Sequence, residues 1–115
     1  MKKTITMIVV LALAAILAVA QDKPATQLVT THHHFDHTAG MRAAIFNNVK
    51  VITHAGNREW VENMARRPHT IQQDTLAKNV SRLTVETVDS ELAVQDTSMT
   101  VMLYHVAGNP HSDTM

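Results

Sequence analysis

Positions 32–37 read His-His-His-Phe-Asp-His, so four imidazoles and one carboxylate fall within six residues. Neutral imidazole nitrogen and carboxylate oxygen are the donors that zinc and similar divalent ions take. Gathering them is costly unless something positive binds there, because polar groups replace side chains that could pack a core. The preceding run Leu28-Val29-Thr30-Thr31 is rich in β-branched residues and predicts a short strand that ends where the histidines begin. Beyond it His32 and His34, two apart, can point to one side and supply half of a tetrahedral zinc shell. Asp36 and His37 follow directly and can face a second ion. Paired ions lower the pKa of water toward neutrality and polarise a carbonyl or phosphoryl oxygen. Such chemistry needs no Ser-His-Asp triad, and none is evident. The competing reading is a surface histidine tract with adventitious metal affinity. The placement between a strand and a helix, closed by Thr38-Ala39-Gly40, favours a built site.

The elements that must position these donors can be read from periodicity. Residues 38–46 predict a helix with Met41, Ile45 and Ala44 on its buried face. Asp36 and His37 then sit at its N-terminal edge, where the dipole favours a carboxylate. Residues 49–53 form a second strand candidate, and Asn57 is suited to cap a second helix through Met64, with Trp60, Val61 and Met64 at helical spacing. The order strand, helix, strand, helix implies a parallel α/β unit. Residues 65–81 make a long connection with Pro68 and no clear period. The period then changes to two, in Leu83 and Val85, in Leu92 and Val94, and in Met99, Val101 and Leu103. Turn residues at 88–90 and 95–97 separate these runs, which predicts an antiparallel meander. The chain then enters a loop, Gly108-Asn109-Pro110-His111-Ser112.

The other histidines have plainer readings. His33 points opposite to its neighbours and is expected to be structural or solvent-facing. His54 ends the second strand as a hydrogen-bonded or surface histidine. His69, beside Pro68, is expected to be a loop residue. Trp60 and Met64 belong to the core.

Composition narrows the setting. Lys2 and Lys3 precede an apolar stretch over residues 5–20, and Ala18-Val19-Ala20 offers a small-x-small cleavage site. Residues 1–20 therefore read as a secretory signal peptide, too short in the apolar run for a typical membrane span, with a periplasmic or secreted product. Residues 21–27 read as a linker. With Lys2 and Lys3 discounted, 8 basic residues face 10 acidic ones, which provides no footprint for nucleic acid or, after signal cleavage, for a membrane. The chain has no cysteine, so neither disulfide staples nor thiolate chemistry enters.

His32-x-His34-x-Asp36-His37, preceded by Val29-Thr30-Thr31 and followed by Ala39-Gly40, resembles the signature of the metallo-β-lactamase-fold hydrolases, and the segments Arg67-Pro68-His69-Thr70 through Ala77-Lys78-Asn79 and Asn109 to Met115 resemble a bacterial branch of exported members. The resemblance implies an αβ/βα sandwich with metals at the edge between two sheets. It implies His32 and His34 on the first zinc and Asp36 and His37 on the second. A third first-site histidine is expected in a Gly-containing loop after the meander; the Gly-Asn-Pro-His-Ser context favours His111, with His105 as its competitor. Family members carry further strands before the motif, and beyond the third histidine a bridging aspartate and a last histidine. Residues 28–115 are accordingly expected to be a partial domain of α/β class, a βαβα unit followed by an antiparallel meander. It would hold one zinc ion at most, against two in the complete family site, with Asp36 as the catalytic base. The implied function is a zinc-dependent hydrolase in which activated water attacks an ester, amide or lactam-type bond of a small-molecule substrate. The alternative is a catalytically inactive truncated remnant that at most binds a metal ion. A partial sheet also implies self-association through exposed edges. Substrate identity stays open, since one fold hosts many chemistries.

Overall fold

A computed structural model of the chain describes residues 24–79 and 82–108. The expected signal peptide, residues 21–23 of the expected linker, and His111 lie outside the described residues. In chain order the elements are β1 (Gln27–Val29), α1 (Phe35–Thr38), α2 (Met41–Phe46), β2 (Lys50–His54), a 3₁₀ turn (Ala55–Asn57), α3 (Arg58–Arg66), α4 (Thr75–Lys78), β3 (Val85–Val88), β4 (Glu91–Gln95) and β5 (Thr100–Tyr104). No helix among the described residues is long and apolar enough to cross a membrane.

β2 is the centre of a three-stranded parallel sheet, with β1 and β3 on its two sides. Leu28 pairs with Val51, and Val51 with Val85, so these three side chains share one face. That face meets the helices: Met41 and Ile45 of α2, Val61 of α3 and Leu76 of α4 are buried together with Val51. Val29, Ile52 and Glu86 align on the opposite face, with Val88 two residues further along β3. Ile52 and Val88 are nonetheless fully buried. In the separate β4–β5 hairpin Leu92, Val94 and Leu103 are half-buried in alternation with exposed neighbours. A strand buried on both faces reads as a continuous apolar run, and Val51-Ile52 at the heart of β2 follows that rule.

Two elements differ from what the periodicity predicts. The run at Leu83 and Val85 does not open an antiparallel meander; Val85–Val88 is the third strand of the parallel sheet, and only β4 and β5 pair antiparallel. Period two marks a strand but not the direction of its neighbour. The long connection from β2 carries α3 and α4, ample chain for a crossover that returns it parallel. The helix expected over 38–46 is also broken in two. Thr38 Oγ1 donates to the His34 carbonyl at 3.0 Å, closing α1 after one turn, and Gly40 stands at the start of α2.

The remaining junctions have local causes. Asn48 adopts φ 59° just after α2, a left-handed position that asparagine tolerates, and its N–H donates to the Ile45 carbonyl at 2.9 Å. This sharp reversal delivers the chain directly to β2. The four-residue α4 depends on Asp74, whose carboxylate accepts the Ala77 N–H at 2.9 Å as an N-cap. Asp74 also pairs with Arg42, a side chain only 12% exposed. The Arg42 guanidinium donates to both Asp74 oxygens and to the carbonyls of Met64 (2.6 Å), Ala65 (3.2 Å) and Arg67 (3.2 Å). One cation thus ties α2 to the C-terminal carbonyls of α3 and to the start of α4. The Arg42 guanidinium and the Ala77 N–H hold the Asp74 carboxyl well below the usual carboxylate range.

Candidate metal centre

The donors sit where β1 leaves the parallel sheet, at the carboxyl end of its strand, the edge at which open α/β sheets place their ligands. Thr30 continues the ladder by one residue: its N–H donates to the Ile52 carbonyl at 3.0 Å, and its side chain is fully buried. Its hydroxyl donates to the His32 carbonyl at 3.0 Å and turns the chain out of the sheet. Thr53 Oγ1 reaches the Thr30 carbonyl at 3.4 Å, so β2 braces the same turn. The backbone N–H of His37 closes on the His34 carbonyl at 3.0 Å and starts α1.

Within this turn His32, Asp36 and His37 bring one ligand atom each to within 4.8 Å of one another. The His32 and His37 rings lie 4.1 Å apart between centroids. A single hydroxyl links them. Thr31 Oγ1 is 3.1 Å from Nδ1 of His32 and 3.1 Å from Nδ1 of His37. A hydroxyl oxygen carries one proton and two lone pairs, so it can accept from both ring N–H groups, or accept from one and donate to the other. Nε2 of His37 lies 3.4 Å from Asp36 Oδ2. With both Nδ1–H groups donating to Thr31 Oγ1, each ring presents its Nε2 lone pair, the tautomer in which an imidazole binds a metal through Nε2.

The fit to a divalent ion can be weighed from distance. Zinc–nitrogen and zinc–oxygen bonds of about 2.0–2.1 Å at tetrahedral angles place neighbouring donors about 3.4 Å apart. A spread of up to 4.8 Å therefore needs a small inward adjustment of side chains that have room to make it. Asp36 is 62% exposed and His37 44%. Two imidazoles and one carboxylate form a donor set shared by zinc and other first-row divalent ions.

The gathered set cuts across the expected one. The sequence paired His32 with His34 and set Asp36 and His37 apart; the structure groups His32 with Asp36 and His37. His34 precedes α1 as its N-cap residue, and its ring meets that of His32 edge-on at 4.8 Å. His33 turns toward α3, its ring 5.9 Å from Trp60. His54 is hydrogen-bonded, its Nδ1 accepting the Gly56 N–H at 3.1 Å, and it stacks on His105 at 4.1 Å. His105 thus holds the end of the hairpin against the end of β2 and is outside the three-residue donor group. His69 lines an open groove of the 67–72 loop. Thr31 escaped the reading of the sequence. Its β-branched type suggested only strand, and a hydroxyl that bridges residues one and six positions away leaves no periodic trace.

Comparison of the chain with protein-family models, with curated proteins and with solved structures returned no match.

Proposed function

We propose that the chain is a metal-dependent hydrolase domain of the metallo-β-lactamase type, with zinc as its ion and a small-molecule ester, amide or lactam as its substrate class. The observation that carries this reading is the convergence of His32, Asp36 and His37 at the carboxyl edge of a parallel strand, with one hydroxyl linking the two imidazoles. His32 and His37 would hold the ion through nitrogen and Asp36 through oxygen, with His34 and His111 as further donors. A divalent ion there supplies polarisation of the scissile carbonyl and lowers the pKa of water. The chain's own residues do the rest. Thr31 orients both imidazoles through their Nδ1 atoms. Asp36, open to solvent, is placed to accept a proton from attacking water as a general base.

Metal analysis of the purified protein tests this reading. We expect close to one zinc per chain, lost in His32→Ala and His37→Ala. Excess zinc should raise the melting temperature of the parent only, since a ligand at 100 times its Kd stabilises the folded state by about 2.7 kcal/mol. Iron or manganese in place of zinc would keep the centre and overturn the choice of ion. Metal below about 0.1 per chain, insensitive to both substitutions, would overturn the centre itself.

The exposure of Asp36 and His37 favours a second reading, a metal-binding domain without turnover. Open sites weaken electrostatic catalysis because water screens the charges. Zinc-dependent hydrolysis of a chromogenic ester or lactam that is lost in Asp36→Asn decides for the enzyme.

A further inference from the structure

We propose that β5 is a docking edge for a second copy of this chain, pairing antiparallel about a two-fold axis at Met102. Among the described residues β5 has one strand neighbour, β4, so its other edge presents unpaired backbone groups. Side chains on both faces of β5 are exposed: Val101 44%, Met102 42% and Tyr104 53%. Edge strands of soluble proteins are ordinarily blunted by charge, by proline or by brevity. The other edges here follow that rule. β1 has three residues and lies close behind Pro24. β3 carries Glu86, with Arg82 and Asp89 flanking it, and β4 carries Glu91, with Asp89 and Asp96 near its ends. From Thr97 to Ser112, by contrast, the sequence holds no Asp, Glu, Lys or Arg.

Charge is what selects a second copy as the occupant. In a two-fold antiparallel pair the residue on the axis meets its own counterpart, so any charge there repels itself. A strand without charge is compatible with itself in this arrangement. An axis at Met102 sets Val101 against Leu103 and Thr100 against Tyr104, apolar against apolar and hydroxyl-bearing against hydroxyl-bearing. The product is a continuous sheet in the order β4-β5-β5-β4 that satisfies the outer backbone groups of both strands. Two five-residue strands bury less than the roughly 1,200 Å² of a standard interface, so the dimer is expected to be weak and concentration-dependent.

The 115-residue chain, purified and measured by sedimentation from about 10 µM to about 1 mM, should pass from monomer to dimer over that range. Met102→Lys places two like charges on the axis and should abolish the dimer, with an unchanged melting temperature. Ala93→Lys puts the same charge on the same face of the hairpin but one strand away, opposite Met102, and should leave the dimer intact. Because the chain has no cysteine, Met102→Cys supplies a second readout that does not depend on the lysine variant folding. Mild oxidation should link it into a covalent dimer, and Ala93→Cys should not link. A chain that stays monomeric throughout, with no link through Met102→Cys, would overturn the proposal. Dissociation by Ala93→Lys as complete as by Met102→Lys would also overturn it, in favour of face-to-face packing.

Discussion

Replacing Thr31 with valine keeps the β-branched shape of the side chain and removes only its hydroxyl. That hydroxyl contacts Nδ1 of His32 and Nδ1 of His37, each at 3.1 Å. A neutral hydrogen bond contributes about 0.5–1.5 kcal/mol to stability, and at a half-exposed position the lower end applies. The metal-free protein should therefore lose no more than about 1 kcal/mol. The effect on metal affinity should be larger. Without the hydroxyl both rings can rotate about their Cβ–Cγ bonds, and the shared tautomer arrangement is lost. Groups that orient metal-binding imidazoles are typically worth 10–100-fold in affinity, or about 1.4–2.7 kcal/mol. Competition against a chromophoric chelator measures this directly, with thermal melting of the metal-free protein alongside. Thr31→Ser, which restores the hydroxyl, should recover most of the affinity. An affinity within about twofold of the parent would refute the argument that Thr31 organises the centre. A metal-free Thr31→Val protein that fails to fold would refute the claim that the hydroxyl acts mainly on the site.

Arg42→Met should be far more damaging to the fold than to the donors. It leaves the carbonyls of Met64, Ala65 and Arg67 and the Asp74 carboxylate without their shared cation, a loss of about 2–4 kcal/mol that urea unfolding will register. The same pair dictates a pH response. The Asp74 carboxyl is depressed in the folded state, so its stabilisation is complete above the ordinary carboxylate range, about pH 4, and falls as pH drops toward the depressed value. Melting temperatures between pH 2 and 7 should show this acid loss in the parent and a smaller one in Asp74→Asn. Met41→Ala empties a fully buried position between α2 and the sheet and should cost about 2–5 kcal/mol, enough to abolish cooperative melting in so small a domain.

Local elements were largely legible. The β-branched run before the motif, the Val51-Ile52 strand, the helix carrying Trp60, Val61 and Met64, and the two alternating runs of the hairpin all lie within a few residues of where periodicity places them. Less visible was α4, because its four residues depend on one cap and one buried arginine rather than on an apolar stripe. The direction of β3 was not visible at all. Alternation in Val85–Val88 is the same whether its neighbour runs parallel or antiparallel, and the answer lies in the crossover that precedes it.

The sequence by itself determined the chemistry on offer at residues 32–37: imidazole and carboxylate at the exit of a strand, in a chain with no thiol and little net charge. Residue type and spacing are local properties, and they suffice to say which donors exist. Only the tertiary structure decided which donors share a point in space. It set His32 with Asp36 and His37, turned His33 toward Trp60, and stacked His54 on His105. It also made a threonine hydroxyl the link between two of the donors. Those outcomes depend on how a turn is braced by the neighbouring strand and on what packs behind it. Such contacts join residues far apart in the chain, where no spacing rule reaches.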